Sequence, residues 1–171
     1  PPPPQPPPPV VIPHVPPPVI VVPPTSGRAF FVAPSGQPTG DGSQNAPWDL
    51  SSAMQKTLQG GDIIWLRGGY YDVYGAGPAW NNCNIKGGSA NAPIIIRAAP
   101  GEQVKITTYI ETFCSYVWFW DLEFTGKPDQ TRVSTITVSW TPTDLSGGGI
   151  SFISGTCVRL INSVIHDVNN N

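Results

Sequence analysis

Charge is scarce in this 171-residue chain: Asp, Glu, Lys and Arg make up 12% of it, and the net charge is −2. With so few charges and a negative balance, binding to nucleic acid or to an anionic membrane surface has no electrostatic basis. No apolar run approaches the ~20 residues of a membrane-spanning helix. Cysteine occurs three times, an odd number without C-x-x-C spacing, which excludes a zinc knuckle and a thioredoxin-type dithiol. No asparagine is followed two residues on by Ser or Thr, so the usual N-glycosylation signal is missing. Gly75, Ala76, Gly77 and Pro78 form a lone GxG ahead of a proline, not a dinucleotide loop, and Ser146 lies beside glycines without a nucleophile-elbow pattern. The chain starts on proline with neither an initiator methionine nor a signal peptide, as a processed product or a fragment would.

Proline, by contrast, is abundant, and most of the 22 prolines fall between Pro1 and Pro24. Proline locks φ in the polyproline range and has no N–H, so runs of it form an extended polyproline II rod. The gaps hold Val10, Val11, Ile12, Val15, Val19, Ile20, Val21 and Val22, where a solvated spacer would carry Ser, Gly or charge. Residues 1–27 thus read as a stiff arm and junction whose apolar stretches gain by docking, with a flexible leader as the plainer alternative. Residues 28–171 read as one domain.

Within that domain Phe30–Ala33 reads as a strand. A helix is expected in WDLSSAMQKTLQGGD, where Leu50, Met54 and Leu58 repeat at i, i+4 and i+8 before a Gly pair. Strand candidates follow at 62–67, 92–98, 103–108, 115–121, 134–140, 149–153 and 156–162, short, β-branched or aromatic, and separated by turn residues. With no second helix for crossovers, doubly wound folds are excluded. VWFWDLEF from Val117 and VRLINSVI from Val158 look like copies of one unit, each a strand, a bend at Asp121 or Asn162, and a second short apolar stretch. IWLRGGYY and IIIRAAPG, from Ile64 and Ile94, share an opening, and such irregular repetition suits a solenoid with loops of variable length.

Three stretches carry a resemblance: FFVAPSGQPTGDG, APWDLSSAMQKTLQGGDIIWLRGGYY and APIIIRAAPGEQVKI. Through them residues 29–171 resemble the right-handed parallel β-helix superfamily of pectate lyases and related polysaccharide-active proteins. The resemblance implies an all-β solenoid with one short N-terminal capping helix, and catalytic residues further along the solenoid than residue 171.

Period-2 alternation gives the surface without that family. If Ile64 and Leu66 point inward, two outward columns result: Trp65, Ile95, Trp118, Arg159 and Arg67, Arg97, Trp120, Ile161, with Tyr116 extending the aromatic edge. A stripe of Trp and Arg suits a proline-rich arm, from this chain or a neighbour, or a sugar ring. Alternatively, residues 126–149 fold over it and make it satellite core. Cys114 and Cys157 precede similar strands and form either a disulfide between rungs or two buried thiols, leaving Cys83 as the candidate for an intermolecular bond. His166 and Asp167 read as a turn pair rather than a relay, and His14 as exposed. The carboxylates are scattered. Asp121 and Glu123 share a face that calcium, the one candidate cofactor, would use, but no set of ~6–8 oxygen ligands is visible.

The leading expectation is therefore a non-enzymatic extracellular or cell-surface subunit that self-associates, as a homo-oligomer or a filament, through its proline-rich arm. The alternative is the N-terminal piece of a polysaccharide lyase or glycoside hydrolase, or a carbohydrate-binding β-helix module.

Overall fold

Strands of three to five residues are too short to stand alone, and each must find its hydrogen-bond partners in the neighbouring turn of the chain. The computed structural model describes residues 27–72, 80–126 and 149–166. There, β1 (Ala29–Val32) and a one-turn helix α1 (Leu50–Ala53) lead into successive coils. The first coil holds β2 (Ile63–Leu66), β3 (Gly69–Tyr71) and β4 (Trp80–Cys83). The second holds β5 (Ile94–Ala98), β6 (Val104–Ile106) and β7 (Tyr109–Thr112). The third holds β8 (Val117–Trp120), β9 (Glu123–Thr125) and β10 (Gly149–Phe152), and β11 (Arg159–Ile161) and β12 (Val164–His166) open a fourth.

Each coil gives one strand to each of three sheets, ordered β1-β2-β5-β8-β11, β4-β7-β10 and β3-β6-β9-β12. Every pairing between these strands is parallel. The architecture is a parallel β-helix, as the sequence implied. Its interior is filled by columns of like residues: Ile64, Ile96, Phe119 and Leu160 stack through the first sheet, and Tyr71, Ile106, Phe124 and Ile165 through the third. Phe119 and Phe124 are fully buried, and the apolar contacts along these columns are what bind coil to coil.

The expected repeat is present as backbone geometry. Asp121 and Asn162 follow β8 and β11 with φ of 56° and 45°, and Tyr116 and Cys157 precede them with φ of 54° and 55°. The two pairs have the same spacing in the sequence. The left-handed region is open to Asp and Asn at little cost, so each β8–β9-type corner turns in two residues.

Two expectations on this frame change. The helix is a single turn, capped at Asp49, whose Oδ1 accepts the Ser52 N–H at 2.7 Å. Leu58 does not extend it, because the Leu58 N–H donates instead to the Lys86 carbonyl of the first coil at 2.8 Å. That close approach needs Gly87 (φ +114°), where a Cβ would sit 1.9 Å from the Leu58 oxygen. Strands β3, β4 and β7 were not anticipated, and β9 and β12 only as apolar stretches after the bends. The strand expected at 134–140 and the arm of residues 1–26 lie outside the described residues.

The first coil is joined to what precedes it by Asp62, whose side chain is fully buried. Its Oδ1 accepts the Arg28 N–H at 2.8 Å, and its Oδ2 accepts Arg28 Nη2 at 2.7 Å and the Gln59 N–H at 2.8 Å.

Candidate functional site

The outer face of the five-stranded sheet carries the aromatic–arginine stripe, in a register that corrects its first rung. The columns are Ile63, Ile95, Trp118, Arg159 and Trp65, Arg97, Trp120, Ile161. Trp65 therefore stands opposite Arg97, not Ile95, and Arg67 lies beyond the end of β2. Which residues point outward agrees with the alternation; the offset between the first two coils differs by two. The observed register avoids stacking Arg67 on Arg97 and sets Arg97 between two indoles. Its Cζ lies 4.9 Å from the Trp120 ring centre and 6.0 Å from that of Trp65, while Arg159 lies 4.7 Å over Trp118.

Such cation–π contacts contribute roughly 0.5–1 kcal/mol each at open sites. What closes Trp118 and Trp120 to a sugar or proline is burial. Trp118 and Trp120 are only 7% and 8% exposed and form a second apolar cluster with Ile63, Ile95 and Ile161. Tyr116 belongs to the corner before β8, where its carbonyl accepts the Ile94 N–H, and not to the stripe. Residues 127–148 and the arm residues Val10, Val11, Ile12, Val19, Ile20, Val21 and Val22 lie outside the described residues.

At the corner between the first and third sheets two ion pairs flank a cleft of about 280 Å³. Arg67 Nε donates to Glu102 Oε1 at 2.8 Å, and Arg97 Nη2 to Asp121 Oδ2 at 2.7 Å. The Gly68 N–H, with Arg67, holds the Glu102 carboxyl below the usual range against the cost of burial. Asp121 also accepts from the Asn162 amide one coil on.

The outer face of the third sheet holds a constellation that the sequence did not reveal. Tyr70, Lys105 and Glu123 stand in register on β3, β6 and β9, and His166 of β12 reaches the same carboxylate. Lys105 Nζ lies 5.7 Å from the Tyr70 ring centre and 3.2 Å from Glu123 Oε1, and His166 Nε2 lies 3.1 Å from that oxygen. The Glu123 carboxylate raises the Lys105 amine above its ordinary value. Burial pushes Glu123 up, but the bonds from His166 and Lys105 outweigh it and leave the carboxyl low. Asp121 and Glu123, the pair considered for calcium, are thus each engaged by a cation. The only sequence signal for this row was the alternation in GYY, VKI and LEF, and the row forms only once the coils are stacked.

The cysteines are also arranged differently. Cys83 is not a surface thiol but a buried residue of β4, with its sulfur 3.3 Å from that of Cys114. Cys157 is exposed and is the counterpart of Tyr116 in the next coil, not of Cys114. The backbone of Gly155 passes so close to the Cys114 carbonyl that a Cβ would lie 1.8 Å from it, so the chain stacks there through glycine.

No family model and no curated protein matches the chain. Solved structures do. A pectate lyase, Pel9A, is similar with a TM-score of 0.56 at 24% identity, over 80% of this chain and 32% of its own. A rhamnogalacturonan lyase gives 0.52 at 16% identity, over 82% and 36%. A GH136 lacto-N-biosidase from Eubacterium ramulus gives 0.54 at 19%, over 84% and 28%. The chain spans about a third of the length of each. Over most of its length, then, the chain has the parallel β-helix fold of pectate-lyase-like structures.

Proposed function

We propose that this chain is a saccharide-binding stretch of a parallel β-helix protein that binds or acts on a polysaccharide outside the cell or at its surface. The observation that carries this reading is the row Tyr70, Lys105 and Glu123, in register across three coils, with His166 of the fourth reaching Glu123 from two residues along β12. Tyr70, 49% exposed, offers an aromatic face to a sugar ring, and the other three offer donors and acceptors to hydroxyls or carboxylates. Tyr70 also lines a cleft of about 140 Å³ with Pro34, Asp49, Ser51 and Asp72. The names of the similar structures, two lyases and a biosidase, support a saccharide as the ligand class. General acid–base work requires a pKa near the working pH. Lys105 and Glu123 are each held in the charged form, so these two orient a ligand and do not exchange its protons.

Affinity electrophoresis through gels containing polygalacturonate or a neutral galactan tests the reading. The protein is expected to be retarded in at least one gel. Tyr70→Ala should bind roughly tenfold more weakly, the scale of one ring-stacking contact, with an unchanged unfolding midpoint. Free migration of the parent protein in both gels would rule it out.

A second reading, self-association into an oligomer or filament, is favoured by apolar side chains exposed on the last described coil. Phe152 and Ile165 lie in register with the inward-facing Thr112 and Phe124, yet are 52% and 46% exposed. Among the described residues β10, β11 and β12 end their sheets, and such edges offer unpaired N–H and C=O groups to a further strand. A second copy stacked head to tail would cover both features. Sedimentation velocity should then show association that Ile165→Glu abolishes; a parent protein that stays monomeric at every concentration disposes of the idea. The proline-rich arm, to which the sequence assigns this contact, lies outside the described residues.

A further inference from the structure

We propose that Cys83 and Cys114 are the two halves of a disulfide that staples the first coil to the second. Their sulfurs lie 3.3 Å apart, and the side chains are 0% and 3% exposed. Cys83 ends β4 and pairs in register with Thr112, two residues before Cys114. The backbones are already neighbours there, since the Phe113 N–H donates to the Cys83 carbonyl at 2.9 Å. The 3.3 Å between the sulfurs has only to close to the ~2.0 Å of a disulfide, which side-chain rotation supplies with little shift of the coils. Cys157 is exposed and lies at the corner before β11, one coil further on.

In forming the bond the two thiols give up two protons and two electrons. The acceptor is a small-molecule disulfide such as oxidised glutathione. One cysteine takes up half of it as a mixed disulfide, releasing a thiol; the other cysteine's thiolate displaces the second half. Both sulfurs are closed to such a reagent in the folded coils, so the exchange takes place as the chain opens and closes. The finished bond is then shielded from reductants.

The test uses Cys157→Ser, which leaves two cysteines. The protein is equilibrated in a glutathione redox buffer near its urea midpoint, and its thiols are titrated in denaturant. The count is expected to fall from two to zero, with tryptic peptides 68–86 and 106–132 joined and about 2 Da lighter than the free pair. The oxidised protein should unfold at higher urea than the same protein after reduction. Two persisting thiols, a Cys114–Cys157 peptide pair from the parent protein, or a lower urea midpoint for the oxidised form would each overturn the proposal.

Discussion

Phe119→Ala is expected to cost about 3–5 kcal/mol, the usual range for emptying a buried phenylalanine site. Phe119 is fully buried on β8 of the long sheet, between Ile96 of the coil before and Leu160 of the coil after. The stability of a solenoid is close to a sum of coil interiors and coil–coil contacts, and this side chain belongs to two such contacts. The surrounding strands cannot close the void, because their spacing is fixed by the hydrogen bonds of three sheets. Urea denaturation followed by tryptophan fluorescence would read the loss as a lowered midpoint. A change below about 1 kcal/mol would mean that the columns do not hold the coils together.

Asp62→Ala should cost about 2–4 kcal/mol, since it strands the backbone N–H groups of Arg28 and Gln59 and releases the Arg28 guanidinium. The pH dependence separates the charge from the shape. Burial pushes the Asp62 carboxyl up, but the bonds from Arg28 and the Gln59 N–H outweigh it, and the net position is below the ordinary value. A carboxyl lowered in the folded state binds fewer protons there than in the unfolded chain. Its contribution is therefore complete above the unfolded value of about 3.9 and is lost as the pH falls through the folded one. Glu102 and Glu123 are lowered too and act in the same direction. Comparing urea midpoints of the parent and Asp62→Asn between neutral and strongly acid pH isolates Asp62: the variant should start lower and fall less. Parallel curves would show that Asp62 is not an ionised anchor.

The strands that were legible in the sequence are the apolar ones. β2, β5 and β8 announce themselves through runs of Ile, Val, Trp and Phe, of which Ile64, Ile96, Val117 and Phe119 fill the interior. β3, β9 and β12 are three residues long and follow a corner of only two residues, so they read as tails of the preceding strand. β4, Trp-Asn-Asn-Cys, has the composition of a turn and is extended because β7 lies beside it. The Leu50–Met54–Leu58 spacing was a true signal of burial but not of helix length. All three are buried, yet the chain leaves the helix after one turn to bond the first coil.

By itself the sequence determined the solenoid class, the inward and outward faces of the long sheet, and the corner residues. A period of two divides every strand into two faces whatever its neighbours are, and Asp121 and Asn162 tolerate the left-handed backbone wherever they occur. Only the tertiary structure decided what meets what between coils. Register across a rung depends on how many residues each corner consumes, a number that local periodicity does not contain. A shift of two residues keeps every face and changes every partner, which is why Trp65 stands beside Arg97 and Cys157 is the counterpart of Tyr116 rather than of Cys114. For the same reason the row from Tyr70 to His166, drawn from four coils, was absent from the sequence until the corners had fixed its alignment.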